Sequence, residues 1–362
     1  MTQSFILAIN PGSTSTKIAL FKEEELLLKE SIDHSSEELA AFQRIIDQQP
    51  LRFRVIMNFL RKNDFQLSQL AAVVGRGGLL TPMASGTYLV NDEMIDYLKQ
   101  NRLEHASNLG ALIAADIAAE AGVQAFIVDP VVVDEMDDLA RVTGRPEIRR
   151  ISIFHALNHK AAAREAARKI GKAYEECRFI VAHLGGGISI GAHKEGRVVD
   201  VNNALNGDGP FAPERAGSLP AWGLLEWAFN EKLGLPELKK KLAGNGGLVA
   251  HLGTSDLRLV EAQHLKGEAG PSFIYQAMAY NVAKQIASLA AVLEGRIDAL
   301  VFTGGIAFDR TFLDLVSARV AFLAPIIVIP GEDEMKALAN GALRVIKGEE
   351  NAKKWTFNGG QQ

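Results

Sequence analysis

The most informative stretch of the sequence is a turn rich in hydroxyl groups, Asn10 to Lys17, which lies between two short apolar runs. This pattern predicts a strand, a tight polar turn and a second strand. Gly12 frees the backbone and Lys17 adds a cation, so N–H, O–H and ammonium donors can converge on a phosphate group. An ordinary hairpin loop, whose hydroxyl groups bond their own backbone, is the alternative. The residues predicted to contact phosphate here are Asn10, Gly12, Ser13, Ser15 and Lys17.

A second glycine-rich turn, Gly185 to Gly187, stands between two further apolar runs, Phe179 to His183 and Ser189 to His193. A charged turn and a third run follow it, as they do after the first turn. The same order of strand, loop, strand, charged turn and strand therefore recurs about half a chain apart. Two halves that each begin with a hairpin suited to phosphate predict an α/β protein that holds a nucleotide between two related domains.

Two arginines could supply positive charge for phosphoryl transfer, a reaction that depends on positioning, cations and a metal ion. Arg76 lies between Gly75 and Gly77 at the end of an apolar run, where a ligand can approach the backbone. Arg215 lies in a loop rich in Pro and Gly. Their ordinary interpretations are a surface arginine and a salt bridge between Arg215 and Glu214.

Acidic and histidine side chains complete the candidate chemistry. Asp129 ends an apolar strand and precedes Pro130, so its carboxylate can face a ligand, although turn and cap aspartates are common there. Glu334 begins a predicted helix, where an acidic residue also answers the helix dipole. His155 and His183 flank predicted elements, and a lone histidine is usually a satisfied core residue.

Composition limits the class of protein. The chain has 362 residues, of which 48% are hydrophobic, and this is enough for two domains and a large core. A formal net charge of −4 offers no broad basic surface, so we expect no nucleic-acid partner. The single cysteine excludes an internal disulfide framework, and no apolar run reads as a signal peptide or a membrane span. We therefore expect a cytoplasmic protein with no membrane partner.

Several motifs occur together in one order along the chain. From Phe5 to about Lys347 the sequence resembles the acetate kinase family of the sugar kinase, heat-shock ATPase and actin superfamily, and specifically its butyrate kinase branch. The resemblance implies an α/β fold of two ribonuclease-H-like domains, the duplicated actin-like ATPase fold, with a central cleft. It also implies ATP or ADP and Mg²⁺ as cofactors. The motifs that carry it are Asn10 to Lys17, Gly75 to Gly78, Val128 to Pro130, Phe154-His155, Ala182 to Gly187, Gly209 to Gly217 and Phe302 to Ile306.

The resemblance also implies roles for single residues. By this likeness Arg76 and Arg215 hold the substrate carboxylate and the transferring phosphoryl group. Asp129 and Glu334 lie near Mg²⁺, and His155 donates to the phosphoryl oxygens. From sequence context alone, Asp256 reads as a helix cap, Arg258 as a helix-surface charge, and Thr303 to Ile306 as a common glycine turn. The residues implied near ATP are His183, Gly185, Gly186, Gly187, Asp256, Arg258, Thr303, Gly304, Gly305 and Ile306.

Two departures from the acetate kinase pattern bear on the substrate. Gly186 stands where acetate kinases carry an asparagine, and glycine follows Arg76 where they place a valine that crowds the acyl group. We hypothesise that Gly77 and Gly78 leave room for a longer or branched acyl chain, each buried methylene of which would contribute about 0.8 kcal/mol. The predicted substrate pocket consists of Gly77, Gly78, Phe154, Phe211 and Pro213.

We therefore predict an enzyme that uses ATP to phosphorylate a short-chain carboxylate, butyrate or a branched relative, to an acyl phosphate, and that also catalyses the reverse reaction. Acetate or propionate kinase activity is one alternative. The other is a nucleotide-switched binding module like actin or the heat-shock ATPases, in which ATP alters a partner-binding surface. The resemblance implies a homodimer or a larger homo-oligomer.

The predicted domain boundary lies near residue 150. Residues 1–150 form the first domain, residues 151–333 form the second domain with the nucleotide site, and a helix over 334–347 packs back on the first. The polar tail of residues 348–362 is predicted to be flexible.

Overall fold

The computed structural model describes residues 5–101, 105–206 and 208–357. Along these residues the strands are β1 (Phe5–Pro11), β2 (Ser15–Lys22), β3 (Glu25–Asp33), β4 (Leu70–Arg76), β5 (Thr87–Leu89), β6 (Gln124–Val128), β7 (Arg178–Leu184), β8 (Ile188–Lys194), β9 (Arg197–Val201), β10 (Ala299–Gly304), β11 (Ile326–Pro330) and β12 (Lys353–Lys354). The helices are α1 (Ser36–Ala40), α2 (Gln49–Lys62), α3 (Asp92–Gln100), α4 (Asn108–Ala121), α5 (Asp138–Arg141), α6 (Ala156–Lys169), α7 (Ala221–Asn230), α8 (Leu235–Leu242), α9 (Gly247–Leu252), α10 (Leu257–Leu265), α11 (Ala269–Val292), α12 (Arg310–Val320) and α13 (Glu334–Ile346).

The chain divides into two compact units, unit 1 (Met1–Val133 with Asp333–Gln362) and unit 2 (Asp134–Glu332). The sheet of unit 1 has the strand order β12-β5-β6-β4-β1-β2-β3. Strands β1, β2 and β3 are antiparallel, and β4 pairs parallel with β1. The runs of β1 and β4 are apolar at almost every position because both faces of the sheet are covered. One face packs on α2 and α4, and α13 contacts β1, β4 and β6.

The sheet of unit 2 has the strand order β11-β10-β7-β8-β9. Strands β7, β8 and β9 are antiparallel, and β10 pairs parallel with β7, which is the arrangement of β1 to β4 in unit 1. The long helix α11 packs on one face with α10 and α12, and the Ala-rich helix α6 packs on β7 and β10. The internal repeat predicted from the two hairpins is thus confirmed.

The segment before α6 belongs to unit 2, so the division at 133/134 lies earlier than the predicted boundary near residue 150. The backbone N–H of Asp137 donates to the carbonyl of Val199 at 2.9 Å, and Arg150 pairs with Asp200 at 2.9 Å. These contacts attach the segment to β9. They join residues far apart in sequence, so no local composition change marks the division.

The prediction of a flexible tail is wrong for residues 348–357. Strand β12 pairs parallel with β5 at the edge of the sheet of unit 1. Trp355 is buried, its ring contacts Tyr97 edge-on at 5.0 Å, and its carbonyl accepts a hydrogen bond from Asn91. One aromatic anchor orders a segment whose composition is otherwise typical of a frayed end. Residues 358–362 lie outside the described residues.

Local signals explain where α1 and α2 begin. Ser35 caps α1 by accepting the N–H of Glu38, and the helix ends at Ala40. Pro50 lies in the first turn of α2, where its missing N–H costs nothing. In the part of the chain that the structure describes, none of the helices is both long and apolar enough to cross a bilayer.

Candidate active site

The first hairpin turn lies in unit 1 and joins β1 to β2. Asn10 and Lys17 are register partners on the two strands, and the N–H of Gly12 donates to the carbonyl of Ser15 at 2.8 Å, which closes the turn. Ser13 is exposed and Ser15 half-buried. The predicted residues therefore lie together at one hairpin, in which Asn10 is buried and Ser13 and Lys17 are exposed.

A buried arginine donates hydrogen bonds to the backbone of this turn. Arg52 of α2 has no exposed surface, and its guanidinium donates to the carbonyls of Ser15 at 2.8 Å and Ser13 at 3.3 Å and to the hydroxyl of Thr16 at 3.1 Å. Gln48 also accepts from it at 2.9 Å. Burial lowers the pKa of Arg52, and the Glu38 carboxylate partly offsets that shift. In the sequence Arg52 is one of several charged residues of a helix, so nothing local distinguishes it.

Arg76 ends β4 in the same unit. It forms an ion pair with Glu334 at the start of α13, and the other oxygen of Glu334 accepts the side-chain N–H of Asn10 at 2.6 Å. His105 lies close enough that burial and the Arg76 charge lower its pKa. Asn10, Arg76 and Glu334 were predicted separately and are brought together here. His105 was not predicted, since it belongs to none of the motifs.

Asp129 follows β6 and is almost fully buried. Its backbone has φ of +37°, in the left-handed region that non-glycine residues rarely adopt. One carboxylate oxygen accepts the N–H of Gly86 at 2.7 Å, and the N–H of Asp129 donates to the carbonyl of Gly86 at 3.1 Å. Backbone strain of this kind is concentrated at functional sites.

Asp129 and Glu334 are the two carboxylates that the sequence places near a metal ion. Within the described ranges, no group of three or more His, Cys, Asp or Glu side chains is arranged to hold an ion. Mg²⁺ is commonly held by one or two carboxylates with water and substrate phosphates, and the buried carboxylate of Asp129 fits that use. Both oxygens of Glu334 have protein partners, so its predicted metal contact stays a prediction.

The space beside Gly77 and Gly78 is filled by protein. A Cβ added at Gly77 would lie 2.6 Å from the Cβ of Pro130, and one added at Gly78 would lie 2.5 Å from the side-chain oxygen of Asn108. The missing Cβ atoms therefore make room for Pro130 and Asn108, and the hypothesis that these glycines leave room for an acyl chain stays a prediction. They allow the loop after β4 to pack closely on its neighbours.

The second glycine turn lies in unit 2 and joins β7 to β8. The N–H of Gly185 donates to the carbonyl of Gly187 at 3.2 Å. The guanidinium of Arg215 lies directly against Gly187, at the place that a Cβ would occupy. Burial lowers the pKa of Arg215, and Glu214 partly offsets that shift. Gly187, the third glycine of the motif, thus leaves the space that the guanidinium of Arg215 fills.

Two histidines stack beside this turn. The rings of His155 and His183 are 4.0 Å apart and nearly parallel. His155 accepts from or donates to Ser189 at 2.9 Å, and His183 contacts Glu332 at 3.1 Å. Nδ1 of His183 is buried and has no hydrogen-bond partner among the residues that the structure describes. Both predicted histidines therefore lie together in unit 2.

A cavity of about 650 Å³ opens next to the second turn, entirely within unit 2. This volume lies in the range of about 300–1,000 Å³ that is usual for small-molecule sites. Asp256 and Arg258 form a two-point ion pair at 2.9 and 2.8 Å on its wall. The predicted residues that line it are Gly185, Gly186, Pro213, Asp256, Arg258, Gly305 and Ile306, and those not predicted are Ser255, Leu257, Glu261, Phe308, Asp309 and Glu332.

Other predicted residues support the cavity or lie away from its lining. Thr303 donates to the carbonyl of Gly331 at 3.2 Å, and Gly304, with φ of +91°, passes close to the backbone of Leu184. Phe154 is buried edge-on to His159, and Phe211 packs on the core of unit 2. Of the predicted substrate pocket, only Pro213 is among the residues that line the cavity.

Glu261 and Asp309 bring two carboxylates to the cavity wall. Burial, and then the Asp309 charge, raise the pKa of Glu261. Tyr275 donates to Asp309 at 2.7 Å, and Thr311 donates to Glu261 at 3.1 Å. These acceptors come from α10 and the start of α12, and no sequence motif contains them.

The architecture and the motifs agree with those of known proteins. A sequence model described as the acetokinase family matches residues 139–324. A relative named butyrate kinase 2, from Clostridium acetobutylicum, is 51% identical over 351 residues, which cover 97% of this chain and 99% of the relative.

The chain belongs to the acetokinase family.

Solved structures of this family show the same fold. Acetate kinase from Porphyromonas gingivalis superposes with a TM-score of 0.77 at 20% identity, covering 94% of this chain and 99% of that chain. A propionate kinase from Francisella tularensis superposes with a TM-score of 0.73 at 21% identity, covering 93% and 98%. The predicted fold class, an α/β protein of two related domains, is confirmed. This acetokinase-family chain is a phosphotransferase whose acceptor is a carboxyl group.

Proposed function

We propose that this protein transfers the γ-phosphoryl group of ATP to butyrate or a branched short-chain relative, forming ADP and an acyl phosphate, and that it catalyses the reverse reaction. The observation that carries the proposal is the 51% identity, over nearly the full length of both chains, to a relative named butyrate kinase 2. The two glycine-rich hairpin turns and the two accompanying arginines supply the chemistry that such a transfer needs.

The reaction requires little covalent work from the protein. An oxygen of the carboxylate attacks the γ-phosphorus, the bond to the bridging oxygen breaks, and ADP leaves with that electron pair. The carboxylate is already ionised at neutral pH, so no base has to remove a proton. Arg76 and Arg215 neutralise the charge on the transferring group, and His155 donates a hydrogen bond to one of its oxygens.

The cavity of unit 2 is our candidate for the nucleoside part of ATP. Backbone groups of Gly185 and Gly305 can approach the nucleotide closely, while Leu257, Ile306 and Phe308 offer apolar contact to a base. Lys17 and the hydroxyl groups of the first turn are proposed to act on phosphate oxygens. The cavity residues belong to unit 2, and the residues of the first turn belong to unit 1.

The metal assignment rests on charge and burial. Mg²⁺ would supply positive charge that offsets the negative charge of the phosphates. We assign its protein contact, direct or through water, to Asp129. Glu334 is assigned to hold Arg76 in place, because its two oxygens are engaged by Arg76 and Asn10.

A panel of carboxylates tests the proposed substrate. ADP release and acyl hydroxamate formation are measured with acetate, propionate, butyrate and isobutyrate, and kcat/KM is compared. We expect butyrate or isobutyrate to have the highest value. A highest value for acetate or propionate would establish the alternative kinase activity. ADP release that needs no carboxylate would refute a carboxylate kinase and favour a nucleotide-switched module.

We also propose that the protein is a homodimer or a larger homo-oligomer. Helix α7 has no buried residue, and it exposes Trp222, Leu225 and Phe229 on one face. Such an exposed apolar stripe is typical of an interaction surface. A second copy of the chain is the partner we assign to it, as the family resemblance implies.

A further inference from the structure

A chain of hydrogen bonds leads from His155 into the core of unit 2. Nδ1 of His155 is 2.9 Å from the hydroxyl of Ser189, which is 2.8 Å from Nε2 of His159. Nδ1 of His159 is 3.2 Å from Nε2 of His193, and Nδ1 of His193 is 2.7 Å from the hydroxyl of Tyr174. Every link therefore joins two groups that can each donate or accept.

The groups inside this hydrogen-bond chain are buried and uncharged. Ser189, His159 and His193 have no exposed surface, and Tyr174 has little. Burial is the main cause that lowers the pKa of His159 and of His193 well below 6.5, so both rings are neutral at neutral pH. A neutral imidazole has one N–H and one acceptor nitrogen. Since both nitrogens of His159 and of His193 are used, the direction of one hydrogen bond fixes the others as far as Ser189. Among the described residues, the hydroxyl of Ser189 has His159 and His155 as its side-chain partners. When His159 donates to this buried hydroxyl, its one proton is therefore donated to His155.

Positive charge at the far end favours one of the two directions. Nζ of Lys160 lies 5.5 Å from the centre of the Tyr174 ring, and the guanidinium of Arg164 lies 5.6 Å from it. Lys160 is itself buried and paired with Glu135 at 2.6 Å. Cations beside a phenol withdraw electron density from it, which makes its O–H a better donor. Tyr174 then donates to His193, His193 to His159, His159 to Ser189, and Ser189 to His155.

We propose that the buried chain Tyr174–His193–His159–Ser189 holds His155 in the tautomer whose proton is on Nε2. The chain residues are positioning residues, since they act on the reaction through His155. This inference rests on the proposed function, in which His155 donates to the transferring phosphoryl group. A donor whose proton position is fixed before the reaction needs no rearrangement when charge develops.

The tautomers can be measured directly. The full chain is prepared with ¹⁵N-labelled histidine, and the resonances are assigned by comparison with His155→Gln, His159→Gln and His193→Gln. We expect His155, His159 and His193 all to carry the proton on Nε2, with Nδ1 unprotonated. In Tyr174→Phe, a population of His155 protonated on Nδ1 should appear.

Kinetics give the second readout. Tyr174→Phe should lower kcat about tenfold, the size expected of one neutral hydrogen bond, while KM for both substrates stays within about twofold. His193→Leu should do the same, and His193→Gln should restore kcat because its amide keeps one donor and one acceptor. Tyr88→Phe is the matched control, since the hydroxyl of Tyr88 donates to the carbonyl of Ala84 and is no part of the hydrogen-bonded series behind His155.

Two results would overturn the inference. One is protonation of His155, His159 and His193 on Nδ1 in the wild-type protein. The other is a kcat of Tyr174→Phe equal to that of Tyr88→Phe. Neither depends on which acid is preferred. If the wild-type protein failed to release ADP in response to any carboxylate, the proposed function would fail, and the tautomer measurement would still decide whether the chain has the stated direction.

Discussion

At the scale of single residues, the glycine turn of unit 2 shows how one missing side chain positions another residue. Arg215 occupies the place of a side chain at Gly187, whereas a Cβ at Gly186 would meet only Glu214 at 3.7 Å. Gly186 and Gly187 therefore have different structural roles, and we expect alanine substitutions at the two positions to differ in effect.

Gly187→Ala should displace the guanidinium of Arg215 and lower kcat about 100-fold, which is typical for the loss of one group that stabilises transition-state charge. Steady-state kinetics with ATP and butyrate measure this. Gly186→Ala is the control and should cause a much smaller loss, because its methyl group finds an ordinary contact distance. Equal losses in the two variants would contradict the role given to Gly187.

At the scale of elements, α2 supports the first hairpin turn through one side chain. The guanidinium of Arg52 is bonded to backbone carbonyls of the turn and to a hydroxyl of β2, with no access to solvent. The turn therefore depends on a helix that follows it by some thirty residues, roughly the length of a supersecondary unit.

Arg52→Met should lower the free energy of unfolding by about 1–3 kcal/mol, because the carbonyls of the turn lose a buried donor. It should also raise KM for ATP roughly tenfold, the change that corresponds to about 1.4 kcal/mol of lost binding. Urea unfolding and steady-state kinetics measure the two effects. Arg54→Met, an exposed arginine of the same helix, should change neither quantity. A normal KM in Arg52→Met would show that the turn does not need this support.

The stability of unit 2 depends on pH through the buried histidines His159 and His193. His159 and His193 are held neutral in the folded protein, because burial lowers the pKa of each. In the unfolded chain both bind a proton below about pH 6.5. The unfolded state therefore binds more protons as the pH falls, and stability is lost on going from neutral to acidic pH.

Between about pH 7.5 and about pH 5.5 we expect these two residues to remove up to about 3 kcal/mol from the free energy of unfolding. Urea unfolding at the two pH values measures the change, and in His193→Gln the loss should be about half as large. His251→Gln, a substitution of an exposed histidine, serves as the control and should keep the wild-type pH dependence. An unchanged slope in His193→Gln would rule out this residue as a source.

At the scale of the whole molecule, the exposed face of α7 predicts the state of assembly. Trp222 and Phe229 are 73% and 78% exposed and lie on one face of α7 with Leu225, so they form a contiguous apolar stripe. Covering them with a second copy would remove this area from water.

The double variant Trp222→Lys, Phe229→Asp should therefore be a monomer in size-exclusion chromatography with light scattering, whereas the wild type should be a dimer or a larger assembly. Phe322→Asp changes an equally exposed phenylalanine in the turn after α12 and should leave the assembly intact. A wild-type monomer would refute the proposed homo-oligomer. A double variant that still assembles would place the interface elsewhere.

The sequence by itself determined the strands, the two hairpin turns, the repeat of their order and most helix bounds. These features depend on apolar periodicity, turn residues and caps, which are read within a few positions of one another. The helix predicted over 334–347 is α13, Glu334–Ile346, for this reason. The same local patterns identified the motifs from which the family and the chemistry were inferred.

Only the tertiary structure decided which side chains meet. Each of the following contacts joins residues distant in sequence. Arg52 supports the first turn, Arg76 pairs with Glu334, and the guanidinium of Arg215 packs on Gly187. The hydrogen-bonded histidines behind His155 are a further case. So are Pro130 and Asn108, which fill the space beside Gly77 and Gly78, and Trp355, which orders the tail. Burial and contact between distant segments leave no periodic signal, because the energy of each contact depends on a neighbour that the local sequence does not contain.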